Sequence, residues 1–321
     1  MPIKERSRFL FYTLLSLVAL CSGDLPPASA CMVVSREPVV VEGEEALIVW
    51  DAAHQREYFI RRADFFGARR SFGFLVPTPA KPELSEVEET VFTRLAELYS
   101  APAWAKGGVG GGGLRSAGEG RGRALVQVVE RKRVAGLDAT VLSASDPRAL
   151  TAWLRKHRYP APQGSSEWLR PYIERGWFLT AFRYRPASGA ARFGSRGVMM
   201  SFATARPFFP YSEPKGARRG ENRSFRVTVV SDKKVKALLG DKPWDAPLKF
   251  AEDTLAIHSV LPHSLPAEAL PYRPWVTTFD ESQSTRGALD LYFEPASDMQ
   301  RVPPSVETRV GTRPQPKRLL R

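Results

Sequence analysis

The spacing of hydrophobic and polar positions changes several times along the chain, and each change marks an element. In Ala46-Leu47-Ile48-Val49-Trp50-Asp51 nearly every position is apolar. That suits a strand buried on both faces. His54-Gln55-Arg56 reads as a turn, and Glu57 to Ile60 resumes a strand through Tyr58 and Phe59. The two runs predict a β-hairpin. Phe72 to Val76 predicts a third short strand. Pro77, Pro79 and Pro82 should interrupt its ladder, because proline lacks the backbone donor a strand needs. From Ser85 the period turns helical, with Val87, Val91, Leu95 and Leu98 on one stripe. Ser85 and Glu88 have the spacing of a capping box, which predicts a helix starting there.

Ala124 to Val129 and Leu137 to Ser143 predict a second pair of strands. Asp146-Pro147 signals a helix start, since proline fits the first helical position, and the apolar spacing runs on to His157. Ser166 to Glu174 predicts another short helix, with Gly176 placed to end it. Trp177 to Tyr184, Val198 to Phe202, Phe225 to Val230, Leu248 to Phe250 and Leu289 to Phe293 read as strands. Pro207 to Pro214 reads as an irregular edge or loop. Strands dominate, with helices between the early ones. The expectation is an α+β fold: a mainly antiparallel or mixed sheet with short helices packed against it.

The first thirty residues have a different plan. Lys4, Arg6 and Arg8 precede an uncharged apolar run from Phe9 to Cys21, and Ala28-Ser29-Ala30 offers small residues for cleavage. This is the layout of a secretory signal peptide over 1–30. The run is shorter than the roughly 20 residues a membrane-spanning helix needs. The expected destination is the periplasm or the extracytoplasmic face of the envelope. The body is then a single α+β domain over 31–295, with a flexible glycine-rich insertion at 107–122. That insertion is no phosphate loop, because it lacks the Gly-Lys-Ser/Thr ending such loops require. A basic tail over 296–321, with Arg301, Arg309, Arg313, Lys317, Arg318 and Arg321, is expected to be disordered.

Charge narrows the partners. The chain carries a formal +13. In an exported protein this fits an anionic polymer, an envelope protein or peripheral contact with anionic lipid. Export, and the lack of a helix-turn-helix or zinc-finger pattern, argue against nucleic acid. Of the 2 cysteines, Cys21 lies in the leader and Cys31 becomes the first mature residue, so no internal disulfide is expected. Cys31 is a candidate for lipid attachment or an unmodified thiol near the start of the body.

Catalytic chemistry has thin support. There are 4 histidines: His54, His157, His258 and His263. His258, His263 and Asp253 are weak candidates for a metal site, since His258 and His263 match neither the i, i+4 helix pair nor finger spacing. His54 follows Asp51, but such a pair needs a nucleophile in space. No Gly-x-Ser-x-Gly elbow occurs. No motif calls for a cofactor. Trp168, Tyr172, Trp177, Phe208, Phe209 and Tyr211 are candidates for a binding surface, with core packing as their other role. The reading is a non-catalytic binding or structural domain at the envelope. The alternative is an exported hydrolase or metal-dependent enzyme.

Several stretches together match one family pattern. They are Glu45 to Asp51, Phe74-Leu75-Val76-Pro77-Thr78-Pro79, Val141-Leu142-Ser143-Ala144, Gly176-Trp177-Phe178 and Arg206-Pro207-Phe208-Phe209-Pro210-Tyr211. With the leader ending at Ala30-Cys31, the sequence resembles the bacterial exported family labelled domain of unknown function 2330, over roughly 31–230. The resemblance implies export and one continuous domain. It brings no activity, cofactor or substrate.

Overall fold

The computed structural model describes residues 32–34, 40–66, 72–88, 90–98, 125–159, 161, 164–184, 192–194, 197–214, 224–282 and 286–304. The expected leader at 1–30, Cys31, the glycine-rich stretch at 107–122 and the tail past 304 lie outside them. In chain order the strands begin with β1 (Met32–Val34), β2 (Val40–Asp51), β3 (Arg56–Phe66), β4 (Phe72–Thr78) and β5 (Glu83–Glu86). Helix α1 (Val91–Leu98) follows, then β6 (Val126–Val134), β7 (Leu137–Ala144), α2 (Pro147–Lys156), α3 (Ser165–Glu174) and β8 (Phe178–Tyr184). The remainder is β9 (Arg192–Gly194), β10 (Val198–Ala203), β11 (Phe208–Phe209), β12 (Ser224–Ser231), β13 (Val235–Leu239), β14 (Lys242–Pro243), β15 (Leu248–Asp253), β16 (Trp275–Glu281) and β17 (Leu291–Pro295).

These strands make a five-stranded sheet, β1-β4-β8-β7-β6, an eight-stranded sheet, β15-β16-β12-β2-β3-β10-β5 with β9 on β3, and a four-stranded sheet, β11-β17-β13-β14. Strand alternation decides what fills the space between them. On β2 and β3, Ala46, Ile48, Phe59 and Phe65 face one way, into a core shared with Phe74 of β4, Val141 of β7, Phe182 of β8 and Phe293 of β17. Leu47, Val49, Tyr58 and Ile60 face the other way, against Val91, Phe92 and Leu95 of α1 and Ile257 of a short 3-10 turn. The five-stranded sheet buries its outer face under α2 and α3, where Leu75, Leu142 and Leu179 meet Leu150, Leu154 and Leu169. The order is helices, sheet, sheet, helix, with an apolar layer at each junction. Each fully buried Leu, Ile or Phe contributes about 1.5–3 kcal/mol of transfer free energy.

This is the α+β fold expected, with pairing mostly antiparallel and β2 parallel to β12. The hairpin forms as read: β2 and β3 pair along their length, with Asp51 opposite Arg56. Asp146 caps α2, its Oδ1 accepting from Ala149 N at 2.6 Å. Gly176 takes the left-handed φ of +72° just past α3.

Three local expectations change. The segment at Ser85 is a strand, not a helix start: β5 pairs with β10, Ser85 lying opposite Met199. Leu84 and Glu86 are tied further by Lys132 Nζ, which donates to Leu84 O at 2.6 Å, and by Ala135 N, which donates to Glu86 Oε1 at 2.5 Å. The neighbouring strands satisfy the backbone here, so the helix waits until Val91. It buries Phe92 and Ala96 beside Val91 and Leu95. Secondly, β4 runs through Pro77, which pairs with Leu179. On its other edge β1 reaches only Leu75, so the missing donor lies where the described ladder is one-sided. Thirdly, the chain stays on the fold beyond Ala296. Val302 and Ala251 exchange backbone hydrogen bonds at 2.8 and 2.9 Å, and Arg301 pairs with Asp253 at 2.5 Å.

Candidate functional site

The six aromatic residues expected to line a surface do come together, but inside. Rings follow one another from Trp168 to Tyr172 (5.2 Å), to Trp177 (5.5 Å) and to Phe208 (5.1 Å). Phe209 then packs on Phe225 at 4.6 Å. Trp168, Tyr172, Phe208, Phe209 and Tyr211 are buried, and only Trp177 is partly exposed. Of the two roles given to these residues, a binding surface and core packing, the structure shows core packing: the rings join the outer helices to the central core. Polar tips find partners, as buried Trp and Tyr require. Trp168 Nε1 donates to Ser212 O at 3.0 Å, and Tyr172 Oη donates to Asp290 Oδ1 at 3.0 Å.

The metal candidates do not meet. His258 Nε2 lies 3.1 Å from Tyr272 O, His263 Nδ1 lies 2.9 Å from Glu88 Oε1, and Asp253 is held by Arg273 and Arg301. Hydrogen bonding from Arg301 lowers the Asp253 carboxyl below its usual range. Among the described residues no three His, Cys, Asp or Glu side chains are grouped to hold a metal ion. His54 contacts Asp51, Nδ1 to Oδ2 at 2.7 Å, with Asp51 buried and the ring exposed. Asp51 Oδ1 also accepts from His54 N at 3.0 Å, so the pair braces the hairpin turn.

What the sequence reading missed is a set of charges inside the sheets. Glu44 and Arg61 sit on the inward face of β2 and β3 and pair at 2.6 Å, both buried. Arg286 reaches the other Glu44 oxygen at 3.1 Å and approaches Glu281 at 3.7 Å. Its guanidinium also lies over the Tyr211 and Phe225 rings, at 4.2 and 4.3 Å from their centroids. Tyr211 Oη donates to Glu281. On the opposite face of the same strands a second row alternates in sign: Arg62 binds Glu45, Glu45 lies in register with Arg226, and Arg226 forks onto Asp280 at 2.6 and 2.7 Å. Desolvation raises the Glu45 carboxyl, against the pull of Arg62 and Arg226.

Three buried carboxyls also pin the Pro207–Pro214 segment. Glu57 Oε2 accepts from Phe208 N at 2.9 Å, Asp290 Oδ1 accepts from Ser212 N at 3.0 Å, and Glu281 takes the Tyr211 hydroxyl. Burial pushes Glu57 well above its ordinary range and Asp290 up to about 6. For Glu57 and Glu281 the signal was present in the sequence, as charged residues at strand positions whose parity faces the core; Asp290, just before β17, carries no such mark.

Two further surfaces stand out among the described residues. At one end of the eight-stranded sheet a cleft of about 330 Å³ is lined by Ser224, Phe225, Asp245, Lys249, Asp280 and Ser282, with Glu281 at its back. Over the five-stranded sheet, α2 presents Arg148, Arg155 and Lys156, all exposed, at i, i+7 and i+8 on one helical side. Arg131 and Arg133 of β6 pair with Thr140 and Asp138 of β7, which puts them on the α2 side of that sheet. Arg158 follows α2 and is exposed. None of these six cations makes an ion pair among the described residues.

The family profile described as "Uncharacterized protein conserved in bacteria (DUF2330)" matches residues 26–256. The chain belongs to the DUF2330 family. The matched span carries α1 to α3, both large ion rows except Asp280, Glu281 and Arg286, and the whole basic face. No curated protein matches the chain. Among solved structures, this DUF2330 chain is similar to the crystal structure of baculovirus P35 at 7% identity and a TM-score of 0.41, covering 83% of this chain and 100% of that one.

Proposed function

We propose that this DUF2330 protein is an exported, non-catalytic domain that holds an anionic polymer of the cell envelope on the basic face of α2 and β6. One observation carries the reading. Arg131, Arg133, Arg148, Arg155, Lys156 and Arg158 converge on one side of the five-stranded sheet with no ion pair among the described residues. Several charged side chains elsewhere are held by partners within the fold. Glu44, Glu45, Asp253 and Asp280 each have arginine partners. Unspent cations clustered on a rigid face attract a polyanion and give binding that weakens with salt. The leader over 1–30 supports export. His258, His263 and Asp253 serve separate contacts, which favours binding over metal-dependent hydrolysis.

The test is retention on immobilised polygalacturonate, with neutral dextran as the control. The unaltered chain should bind at low salt and elute as salt rises. A variant combining Arg148→Glu, Arg155→Glu and Lys156→Glu should pass through. Equal retention of both chains would reject this face. Export is tested separately, by locating the protein made with and without its first thirty residues.

A further inference from the structure

The cleft at the end of the eight-stranded sheet has a chemistry unlike that of the basic face. It forms where β12 begins, β16 ends and β15 begins, so it meets side chains from both faces of the sheet. Phe225 and Glu281 belong to the inward face, whereas Arg226 and Asp280 belong to the other. Its volume of about 330 Å³ falls among pockets that take small ligands.

The polar groups are of a particular kind. Asp280 is clamped by both nitrogens of the Arg226 fork, at 2.6 and 2.7 Å. A carboxylate so fixed is neutralised as a charge, yet each oxygen retains acceptor capacity. Glu281 is likewise committed to Tyr211 and Arg286. Of the remaining charges, Asp245 and Lys249 are exposed and opposite in sign. Ser224 and Ser282 add hydroxyls, while Phe225 is buried beneath the cleft with its ring packed on Phe209 and under Arg286. The cleft is thus rich in aligned donors and acceptors but close to neutral. A bare cation or anion gains little there. A neutral ligand with several adjacent hydroxyls can donate hydrogen bonds to the two Asp280 oxygens and to Asp245, and accept one from Lys249.

We propose that this cleft binds a neutral saccharide unit, with Asp280 as the fixed acceptor of adjacent hydroxyls. The site is separate from the basic face, and the proposal does not rest on it. The experiment uses the full chain and three probes, glucose, galactose and N-acetylglucosamine, in titration calorimetry and saturation-transfer NMR. At least one sugar should bind saturably. Lys249→Ala and Asp245→Ala should each weaken it ~10-fold, the cost of one hydrogen bond to a charged group. Both residues are exposed, so near-ultraviolet circular dichroism should show the fold unchanged. Asp280→Asn should weaken binding further, and the α2 charge-reversal variant should bind sugar normally. The proposal fails if no probe binds saturably, or if Lys249→Ala and Asp245→Ala both leave binding intact. It fails equally if ethylammonium chloride competes the sugar away, since that marks a cation site.

Discussion

Arg286 meets Glu44 across 242 residues of sequence, Nη1 to Oε2 at 3.1 Å, and neither side chain reaches solvent. Arg61 holds the other oxygen of the same carboxylate at 2.6 Å. One buried anion therefore ties the β2–β3 hairpin to the chain between β16 and β17. Replacing a buried ion pair by apolar groups can be neutral, but removing one partner leaves a charge without compensation. Arg286→Ala should lower stability by about 3–5 kcal/mol, read from urea unfolding. A double-mutant cycle of Arg286→Met with Glu44→Gln should show coupling of about 0.5–3 kcal/mol. Simple additivity would contradict the direct contact.

Asp290 sets a pH dependence. Desolvation raises its carboxyl to about 6 from an ordinary 3.8, although Ser212 N, Tyr172 Oη and Arg175 all favour the ionised form. Tyr292 also faces it. Between those two values the folded chain keeps a proton that the unfolded chain has released. Stability from this group is complete below 3.8 and is lost as pH rises through about 6. Glu57 acts in the same direction, since its value is also raised. Asp290→Asn should therefore flatten the fall in urea midpoint across that window. A variant with the same slope as the unaltered chain would remove Asp290 from the account.

Gly73 tests packing between the sheet and the loop after α2. A β-carbon there would lie 2.7 Å from Phe182 O and 2.7 Å from the Tyr159 ring. The carbonyl belongs to the paired strand and cannot step aside. Gly73→Ala should cost about 1–3 kcal/mol, the range for overpacked cores. Adding Tyr159→Leu should recover only part of it. Full recovery would mean that the ring, not the backbone, set the limit.

The α2 cap gives a smaller, local prediction. Asp146→Ala removes the acceptor for Ala149 N and should cost about 1 kcal/mol, while Asp146→Asn should cost less. Amide exchange should rise first in 147–150. An exchange increase spread evenly over the sheet would argue against a helix-end effect.

Much of this architecture could be read before any coordinates. The β2–β3 hairpin, α2 with its Asp-Pro start, and α3 with Gly176 behind it follow from periodicity and turn chemistry. The Ser85 helix start failed because a capping box is a local preference. Pairing with β10 offers that backbone a full set of partners instead. The aromatic residues were grouped correctly, with a binding surface and core packing both open. Their spacing says that they cluster, whereas the sheets packed over them decide whether solvent reaches them.

By itself the amino-acid order determined the strand-rich α+β class, the hairpin, helices α2 and α3 and the surplus of positive charge. All of these depend on neighbours a few residues apart or on composition. Only the tertiary structure decided that β12 lies parallel to β2, that Glu44 sits between Arg61 and Arg286, and that Asp280 lines a cleft. Those relations join residues far apart in sequence. Strand order and register create them, and neither is written in the period of any single segment.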